Sequence, residues 1–342
     1  MNLLRQVRSF LRQFDYLPPH SRVLVAVSGG QDSLCLLDIL HRLQPRWGWT
    51  LGVVHCDHGW RPDSQDNARY LQHLVEQYGY PYYLLQAQNL SPQEAKARQW
   101  RYQALVRVAT QNHYPIITTG HTASDRVETF LFNLWRGSGL DGLVALSPSR
   151  ALSPQVRLVR PLWRVPRTAT AAYCQQQGLT VWPDATNADM NYRRNRIRRE
   201  LLPYLRTHFN PQVEQQLLQT LEILSAEQEF WRGWLQAVWP QVYDPEQQTL
   251  NRPKLRKLPM ALQRYVLRLF LHNVLRRAVN FRQVEQVRRL LTENTGASTA
   301  PLPGGWRVVV RGDVLAFNPG QPAASNSRVH PRSAPAPDAP LD

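Results

Sequence analysis

Residues 28–33 read Ser-Gly-Gly-Gln-Asp-Ser and combine two adjacent glycines, two hydroxyls and one carboxylate. Adjacent glycines permit a tight turn, and the amides that follow would open a helix, so the segment favours phosphate binding. A Walker A loop is excluded because its spaced glycines and its lysine are missing, and GxGxxG is absent too. The hydroxyls, the amides and Asp32 suit a pyrophosphate whose charge is shared with Mg²⁺. The alternative is a glycine-rich turn without a ligand.

The segment before this loop predicts the element that positions it. Residues 23–27 form an uncharged apolar run, which is typical of a strand buried on both faces of a parallel sheet. Further strands are predicted at residues 49–55, 82–86 and 115–119, with helices at 64–78 and 123–135. A helix to about residue 112 is predicted from a capping box, with Ser91 as N-cap, Pro92 as the first helical residue and Glu94 at N3. The alternation predicts an α/β fold with a doubly wound, mostly parallel sheet.

Three loops with chemically useful residues follow the first, second and fourth predicted strands, at residues 28–33, 55–61 and 121–128. Because ligands bind at the carboxyl ends of parallel strands, we expect these loops to form one crevice. Asp125 and Glu128 share a helix face, where they would bind Mg²⁺ or a cationic substrate, or simply favour the helix N-terminus.

Other candidates near this crevice have more than one reading. His55, His58 and His121 are poor candidates for a zinc site because no cysteine completes the ligand set, so stacking or hydrogen bonding near a nucleotide is preferred. Arg98 and Arg101 are either solvated helix charges or phosphate clamps.

Composition limits the class of protein. The 342 residues, 43% of them hydrophobic, are enough for two domains. No apolar run reaches the ~20 residues of a membrane span, and the amphipathic N-terminus does not resemble a signal peptide, so we expect a cytoplasmic protein. Three cysteines without a CxxC pair fit a reducing compartment. The net charge of +16 predicts a polyanionic partner, although the arginine bias also fits genome composition.

The second half of the chain is basic and lacks the strand–helix alternation. Residues 190–206 hold six arginines and one glutamate, which is typical of a surface that follows a nucleic-acid backbone, or of a solvated basic helix. We predict a catalytic domain at residues 1–211 and a smaller, all-helical domain with a basic face at 212–318, closed by LPGGW and the short strands RVVV and VLAF. A proline-rich tail at 319–342 is predicted to be disordered.

Five segments carry a resemblance to a known family. SGGQDS resembles the SGGxDS motif of N-type ATP pyrophosphatases, the PP-loop enzymes, and VVHCDHGWRPDS resembles VxHVDHGLRxxS. EAKARQWRY, GHTASDRVETFLFNLWRGSGLDGL and WPDATNADMNYRRNRIRRELLP are similar to EAxARxxRY, HHxxDDQxETxLxxxxRGxGxxGL and DxSNxxxxYxRNxIRxxxLP. Together they resemble the bacterial tRNA(Ile) lysidine synthetases. The chain departs from the family pattern at Gly120, Ser124, Arg126 and Thr186.

The resemblance implies a reaction. ATP would adenylate the carbon-2 oxygen of the wobble cytidine in the CAU anticodon of tRNA(Ile), and the ε-amine of free lysine would then displace AMP, which changes decoding from AUG to AUA. ATP, Mg²⁺, lysine and tRNA(Ile) are the implied ligands. No membrane and no protein partner is implied, and a homodimer is left open.

The resemblance also implies roles for individual residues. For ATP binding the set is Ser28, Gly29, Gly30, Gln31, Asp32, Ser33 and His55. For catalysis it is Asp32, Arg98, Asp125 and Glu128, with lysine bound by Asp125 and Glu128 and Mg²⁺ by Asp32 and Asp125. For tRNA binding it is Arg61, Arg194, Arg198, Arg252 and Lys254.

Two other functions remain open at this stage. A sulfur-inserting tRNA thiolase on the same ATP domain would need a nucleophilic or cluster-binding cysteine pair near the site, whereas Cys35 lies inside the loop helix and Cys56 stands alone. A non-catalytic RNA-binding protein that kept the fold is disfavoured by the intact residues 28–33.

Overall fold

The computed structural model describes residues 3–60, 63–88, 93–182, 189–190 and 192–319. The chain divides into two compact units, residues 1–222 and 223–342. The predicted boundary at residue 211 stays a prediction, and the predicted tail lies, apart from Pro319, outside the described residues.

The first unit alternates strands and helices over most of its length. Its strands are β1 (Arg22–Ala26), β2 (Thr50–Asp57), β3 (Tyr82–Gln86), β4 (Ile116–Thr119), β5 (Ser149–Ser153) and β6 (Val156–Val159). Its helices are α1 (Leu3–Phe14), α2 (Gln31–Trp47), α3 (Ser64–Gln77), α4 (Glu94–Gln111), α5 (Ala123–Leu134), α6 (Leu140–Leu143), α7 (Arg167–Gln176), α8 (Arg193–Arg196) and α9 (Leu202–His208), with a π-helical turn at Ile197–Leu201 between α8 and α9. Helix α10 (Val213–Val242) begins in this unit and ends in the second.

The six strands form one sheet in the order β3-β2-β1-β4-β6-β5. All neighbours are parallel except β5, which pairs antiparallel with β6. Strand β1 is central, and its residues Val23, Leu24 and Val25 are fully buried, as expected for a strand covered on both faces. The predicted doubly wound, mostly parallel fold is confirmed.

Sequence reasoning missed two features of this unit. Strands β5 and β6 lie in a stretch whose prolines and arginines hide the short apolar pattern. Helix α4 begins at Glu94 with Gln93 at the N-cap position, not at Pro92 as predicted, and the rest of the predicted capping box lies outside the described residues.

The second unit is mainly helical but not all-helical. It contains α11 (Arg252–Arg256), α12 (Met260–Leu275) and α13 (Phe281–Arg289), and a four-stranded antiparallel sheet in the order β7-β8-β10-β9. Strands β9 (Arg307–Arg311) and β10 (Val314–Asn318) match the predicted RVVV and VLAF. Strands β7 (Tyr243–Asp244) and β8 (Thr249–Asn251) are too short to show an alternating pattern in the sequence.

A single apolar core joins the helices and the sheet of this second unit. Phe270 and Val266 of α12 and Leu315 of β10 are fully buried in it. Within the described residues, no helix is long and apolar enough to cross a membrane.

Candidate active site

The loop between β1 and α2 has the geometry of a phosphate cradle. Gly29 has a φ of +86°, and a Cβ built there would lie 2.2 Å from Asn67 Oδ1, so only glycine fits. Gly30 is the N-cap of α2. The Ser33 hydroxyl donates to the Gly30 carbonyl at 2.8 Å and accepts from the Ser28 amide at 3.1 Å. The predicted loop residues are therefore together at the helix N-terminus.

Two elements outside the loop hold its backbone in place. The Asn67 side chain, buried on α3, donates to the Ser28 carbonyl at 3.0 Å. The Trp182 amide donates to the Gly29 carbonyl at 3.0 Å. Sequence reasoning missed Asn67, which lies three residues beyond the last residue of the VVHCDHGWRPDS motif.

Helix α7 fixes the two side chains at the start of α2. The side-chain amide of Gln31 donates from Nε2 to Thr170 Oγ1 at 2.7 Å and to the Arg167 carbonyl at 2.8 Å. The fully buried Thr170 hydroxyl lies 2.5 Å from Asp32 Oδ1 and donates to it. The pKa of Asp32 is raised, chiefly by burial, although Arg167 and Thr170 act against the increase.

The two predicted acids of α5 occupy different environments. Thr122 caps the helix in a capping box, and Asp125 Oδ2 accepts from its amide at 2.7 Å and its hydroxyl at 2.8 Å. Glu128 is buried, and both its oxygens accept from Arg198 at 2.6 and 2.8 Å. Burial raises the pKa of Glu128 despite this ion pair. We call Asp32, Asp125 and Glu128 the carboxylate cluster.

Arg198, predicted as a tRNA contact, lies within the carboxylate cluster. It belongs to the π-helical turn, and its Nη2 is 3.7 Å from Asp125 Oδ1 in addition to its pair with Glu128. π-Helical turns are often found at functional sites. This position gives Arg198 a role in charge balance inside the site, while direct contact with tRNA stays a prediction.

The donor set of Asp32 and Asp125 fits Mg²⁺. Asp32 Oδ2 is only loosely paired, 3.6 Å from Arg167 Nε, and Asp125 Oδ1 has a similarly long contact to Arg198. Asp125 also acts to raise the pKa of Asp32, after the larger effects of burial, Arg167 and Thr170. One or two carboxylates together with substrate phosphates are the usual protein ligands of Mg²⁺.

The three predicted histidines lie at or just beyond the carboxyl ends of β2 and β4. His55 is buried at the end of β2, with Nδ1 2.8 Å from the Val27 carbonyl. His58 stacks on Trp60, with ring centroids 5.2 Å apart. Among the described residues, no group of three or more His, Cys, Asp or Glu side chains could hold a metal ion.

Four arginines surround the ring of Tyr102, and we call them the arginine cluster: Arg98, Arg101, Arg150 and Arg160. The guanidinium carbons of the first three lie 5.2, 5.9 and 4.8 Å from the ring centroid. Arg160 is 1% exposed. Burial alone would raise the pKa of Tyr102, but these arginines lower it.

The arginine cluster also acts on a neighbouring histidine. Burial, with the added effect of Arg160, Arg101 and Arg98, lowers the pKa of His121 well below its usual value, so the ring is neutral. Burial lowers the pKa of Arg98 as well. Within the described part of the chain, Arg98, Arg101 and Arg160 have no carboxylate partner. An accumulation of guanidinium groups without acids is suited to phosphate oxygens.

Comparisons with known proteins identify the family. The PP-loop domain family matches residues 2–205, and the TilS substrate binding domain family matches residues 250–314. The tRNA(Ile)-lysidine synthase of a Nostoc species is 44% identical over 330 residues, covering 92% of this chain and 96% of that protein. The enzyme of the same name from a Synechocystis species is 46% identical over 303 residues, with 87% and 92% covered. This chain belongs to the tRNA(Ile)-lysidine synthase family.

A more distant similarity concerns the fold alone. The U34-tRNA thiolase NcsA from Methanococcus maripaludis, solved with its 4Fe-4S cluster, has a TM-score of 0.55 and 19% identity, covering 65% of this chain and 78% of that one. In the present chain Cys35 and Cys174 are buried free thiols, and Cys56 is a partly buried one. Cys35 and Cys174 contact each other between α2 and α7, and the hydrogen bond to Cys174, together with burial, raises the pKa of Cys35. Buried thiols of this kind are packing groups rather than exposed nucleophiles or cluster ligands.

Three departures from the family's motif now have structural explanations. A Cβ at Gly120 would lie 2.8 Å from the carbonyl atoms of Asp32, so glycine lets the end of β4 approach the loop. Ser124 Oγ accepts from the Arg167 amide at 3.2 Å. Arg126 is buried, 3.4 Å above the Trp163 ring and 2.8 Å from Glu222. The fourth departure, at residue 186, lies outside the described residues.

The remaining residues predicted to bind tRNA differ in their environments. Arg61 lies outside the described residues. Arg252 donates to the carbonyls of Gly312 at 2.9 Å and Glu293 at 2.6 Å, which indicates a structural role in the second unit. Lys254 is exposed on α11, and Arg194 is close enough to add to the charge acting on Arg98 and His121. Their contacts with tRNA stay predictions.

Proposed function

We propose that this chain ligates lysine to carbon 2 of the wobble cytidine of tRNA(Ile) with the CAU anticodon, using ATP and releasing AMP and pyrophosphate. Membership of the family makes it an ATP-dependent, tRNA-modifying ligase of the PP-loop class. The observation that carries the proposal is the intact loop with Asp32 held by Thr170, in the same unit as Asp125 and the arginine cluster.

In the first step, the carbon-2 oxygen of cytidine attacks the α-phosphorus of ATP, and pyrophosphate leaves. The amides and hydroxyls of residues 28–33 bind the leaving pyrophosphate at the N-terminus of α2. Asp32 and Asp125 would hold Mg²⁺, which supplies positive charge to the phosphates when it is bound. Arg98 stabilises the charge that develops on the transferred phosphate.

In the second step, the lysine ε-amine attacks carbon 2, the C–O bond breaks, and AMP leaves with the oxygen. The amine must be neutral to attack, and it loses a proton as the C–N bond forms. Lysine brings an α-ammonium and an α-carboxylate. We assign the α-ammonium to the loosely paired oxygen of Asp125 and the α-carboxylate to Arg198, while Glu128 contributes negative charge and holds Arg198 by its bidentate pair.

A single-turnover experiment tests the proposal by following labelled α-phosphate on tRNA and labelled lysine separately. We expect wild-type protein to adenylate the CAU transcript and then to incorporate lysine. Glu128→Gln should impair lysine incorporation more than adenylation, so adenylated tRNA accumulates, whereas Asp125→Asn should impair both steps. Equal loss of both steps in Glu128→Gln, or no loss, rejects the role of Glu128. Absence of any tRNA-dependent AMP formation by the wild type rejects the function.

Two substitutions on the surface of the second unit test the tRNA-binding part of the proposal. Neutralising the exposed Lys254 and Lys257 on and beside α11 should weaken tRNA binding and reduce its salt dependence while ATP binding is unchanged. Arg252 is left intact because its contacts hold the fold together. Affinity that is insensitive to salt and to both substitutions would identify this surface as an ordinary solvated one.

A further inference from the structure

The second unit contains a cavity outside the catalytic site, lined by residues within and immediately beside the segment that matches the TilS substrate binding domain. It has a volume of about 290 Å³ and lies between the antiparallel sheet and the end of α12. Its walls include Gln247, Gln248, Val274, Trp306, Arg311 and Phe317. The volume is at the lower end of the ~300–1,000 Å³ found for small-molecule pockets, which suits one planar ring system rather than a larger ligand.

Two aromatic rings form a corner of this cavity. The centroids of Trp306 and Phe317 are 5.9 Å apart, and the planes meet at 89°. Behind Phe317 lies the fully buried Phe270, with ring centroids 4.7 Å apart, so Phe317 is held in position. A flat ligand that stacks on one ring would therefore meet the edge or the face of the other.

The LPGGW segment fixes the position of Trp306. Gly304 and Gly305 have φ values of +81° and +80°, and a Cβ at Gly304 would lie 3.2 Å from Trp306 Cδ1. The Leu302 amide donates to the Trp306 carbonyl at 2.6 Å and closes the turn. The two glycines thus serve to present the indole ring to the cavity.

The turn between β7 and β8 supplies polar groups on another wall. Asp244 Oδ1 accepts from the amides of Glu246 and Gln247 at 2.9 and 3.1 Å, which makes the turn rigid. Gln248 has a φ of +53°, a conformation in which Gly or Asn is normally preferred. A glutamine at this position costs stability, and what it adds is a carboxamide beside the aromatic corner.

The charges of the cavity and of its unit favour an anionic polymer. Arg311 is the charged side chain on the wall and is exposed, Asp244 and Glu246 lie in the adjoining turn, and residues 253–291 of the same unit hold ten basic residues against one acidic residue. Stacking rings, a carboxamide that donates and accepts, and an adjacent guanidinium are together the groups that bind unpaired bases in single-stranded RNA.

We infer that this cavity binds one unstacked nucleobase of the tRNA substrate, an inference that rests on the proposed function. Trp306 and Phe317 stack on the base, the carboxamides of Gln247 and Gln248 contact its edge, and Arg311 contacts an adjacent phosphate. The base is recognised in a loop or at a single-stranded end, because paired bases cannot leave the stack without an energetic cost.

Equilibrium binding of the CAU-anticodon tRNA(Ile) transcript to the full-length chain tests the inference. We expect Trp306→Leu and Gln248→Ala each to raise Kd about 10-fold, and Trp306→Phe to restore most of the affinity because it keeps a ring. Salt dependence should not change in these three variants, since no charge is removed. Arg311→Ala should raise Kd and reduce the salt slope, and it should do so more than Arg289→Ala, its charge-matched control on the exposed side of α13.

Gln248→Ala keeps the test valid if Trp306→Leu does not fold. Gln248 is exposed, and the strain at this position lies in its backbone, with a φ of +53°, rather than in the part of the side chain that the substitution removes. Affinities equal to wild type in Gln248→Ala and in a folded Trp306→Leu protein, combined with equal effects of Arg311→Ala and Arg289→Ala, would overturn the inference. Ultraviolet cross-linking of the transcript should give a nucleotide adduct on Trp306 or Phe317, and adducts confined to other residues would also overturn it.

The readouts separate failure of this inference from failure of the proposed function. If the cavity binds a base, its variants raise the KM for tRNA about 10-fold while kcat at saturating tRNA stays unchanged. A fall in kcat with unchanged tRNA affinity rejects the cavity and leaves the ligase function intact. Cavity-dependent tRNA binding by a wild-type protein that makes no lysidine rejects the function and leaves the cavity intact.

Discussion

The carboxylate cluster and the arginine cluster belong to the same unit but balance their charges in opposite ways. Each acid has partners: Asp32 accepts from Thr170, Asp125 accepts from Thr122, and Glu128 is paired with Arg198. In the described part of the chain, Arg98, Arg101 and Arg160 face one another and Tyr102 without an acid.

The difference indicates what each region is built to do. Removing a partnered buried carboxylate leaves its partner uncompensated, whereas guanidinium groups that repel one another are a cost that an anionic ligand removes. We therefore expect substitutions in the carboxylate cluster to reduce both stability and activity, and substitutions in the arginine cluster to separate the two.

The largest effect is expected at Asp32 of the carboxylate cluster, and it is an effect on the rate of the reaction rather than on stability. Asp32→Asn keeps the shape but removes the charge that would hold Mg²⁺, so tRNA-dependent AMP formation should fall at least ~10²-fold. Asp66→Asn, on the exposed side of α3, is the matched control and should have no effect. Single-turnover AMP release measures the difference, and near-wild-type rates in Asp32→Asn would contradict the assignment.

Next in size is the stability change at Glu128. Glu128→Ala leaves Arg198 without its bidentate partner, so the free energy of unfolding should fall by ~3 kcal/mol. Denaturant titration of Glu128→Ala, of Arg198→Met and of the double variant measures the coupling energy between the two side chains. If the losses of stability in the two single variants added up to the loss in the double variant, the ion pair would not contribute to the fold.

Arg98→Gln is expected to change stability in the opposite direction to Glu128→Ala, and it tests the contrast between the two clusters most directly. Removing one of several like charges should raise the free energy of unfolding by ~0.5–1 kcal/mol while tRNA adenylation falls ~10²-fold. Thermal unfolding and single-turnover adenylation are measured on the same preparation. A less stable Arg98→Gln protein would show that the arginines are structural rather than a site for anions.

A smaller effect is expected where β4 meets the pyrophosphate loop. Gly120→Ala would push a Cβ against the backbone of Asp32 and Ser33, at 2.8 and 2.9 Å, so that the loop backbone would have to move. The KM for ATP should rise about 10-fold with tRNA affinity unchanged. Gly79→Ala, where the Cβ meets nothing within 4 Å although φ is +70°, is a control for general strain at a glycine.

The smallest effect is a pH dependence at the edge of the arginine cluster. Burial, with a smaller contribution from Arg101, lowers the pKa of His58 from 6.5 to about 4. Between these pH values the unfolded chain binds the proton and the folded chain does not, so stability should decrease as the pH falls from 6.5 towards 4. Replacing the ring in His58→Phe should remove ~1 kcal/mol of this loss, as the partly buried ring keeps some hydration. Unchanged acid sensitivity in His58→Phe would rule out His58 as the source.

The sequence alone determined the fold of the first unit and the identity of the loop. An apolar run before Ser-Gly-Gly-Gln-Asp-Ser can only be buried on both sides by alternating strands and helices, which is a local pattern that needs no tertiary information. The motifs also led to the family, and Asp32, Asp125 and Glu128 could be predicted as site residues because each lies within a local motif. The two strands β5 and β6 and the short strands of the second unit were not found, because their patterns are too short.

The partners of those residues were decided only by the tertiary structure. Thr170 lies 138 residues from Asp32 and Arg198 lies 70 residues from Glu128, so no spacing rule connects them. The packing of α7 on α2 and of the π-helical turn on α5 brings them together. Packing also decides that Arg126 is buried against the face of Trp163 and that Arg198 contacts carboxylates. Sequence specifies which groups are available, and the charge balance among them depends on contacts between distant segments.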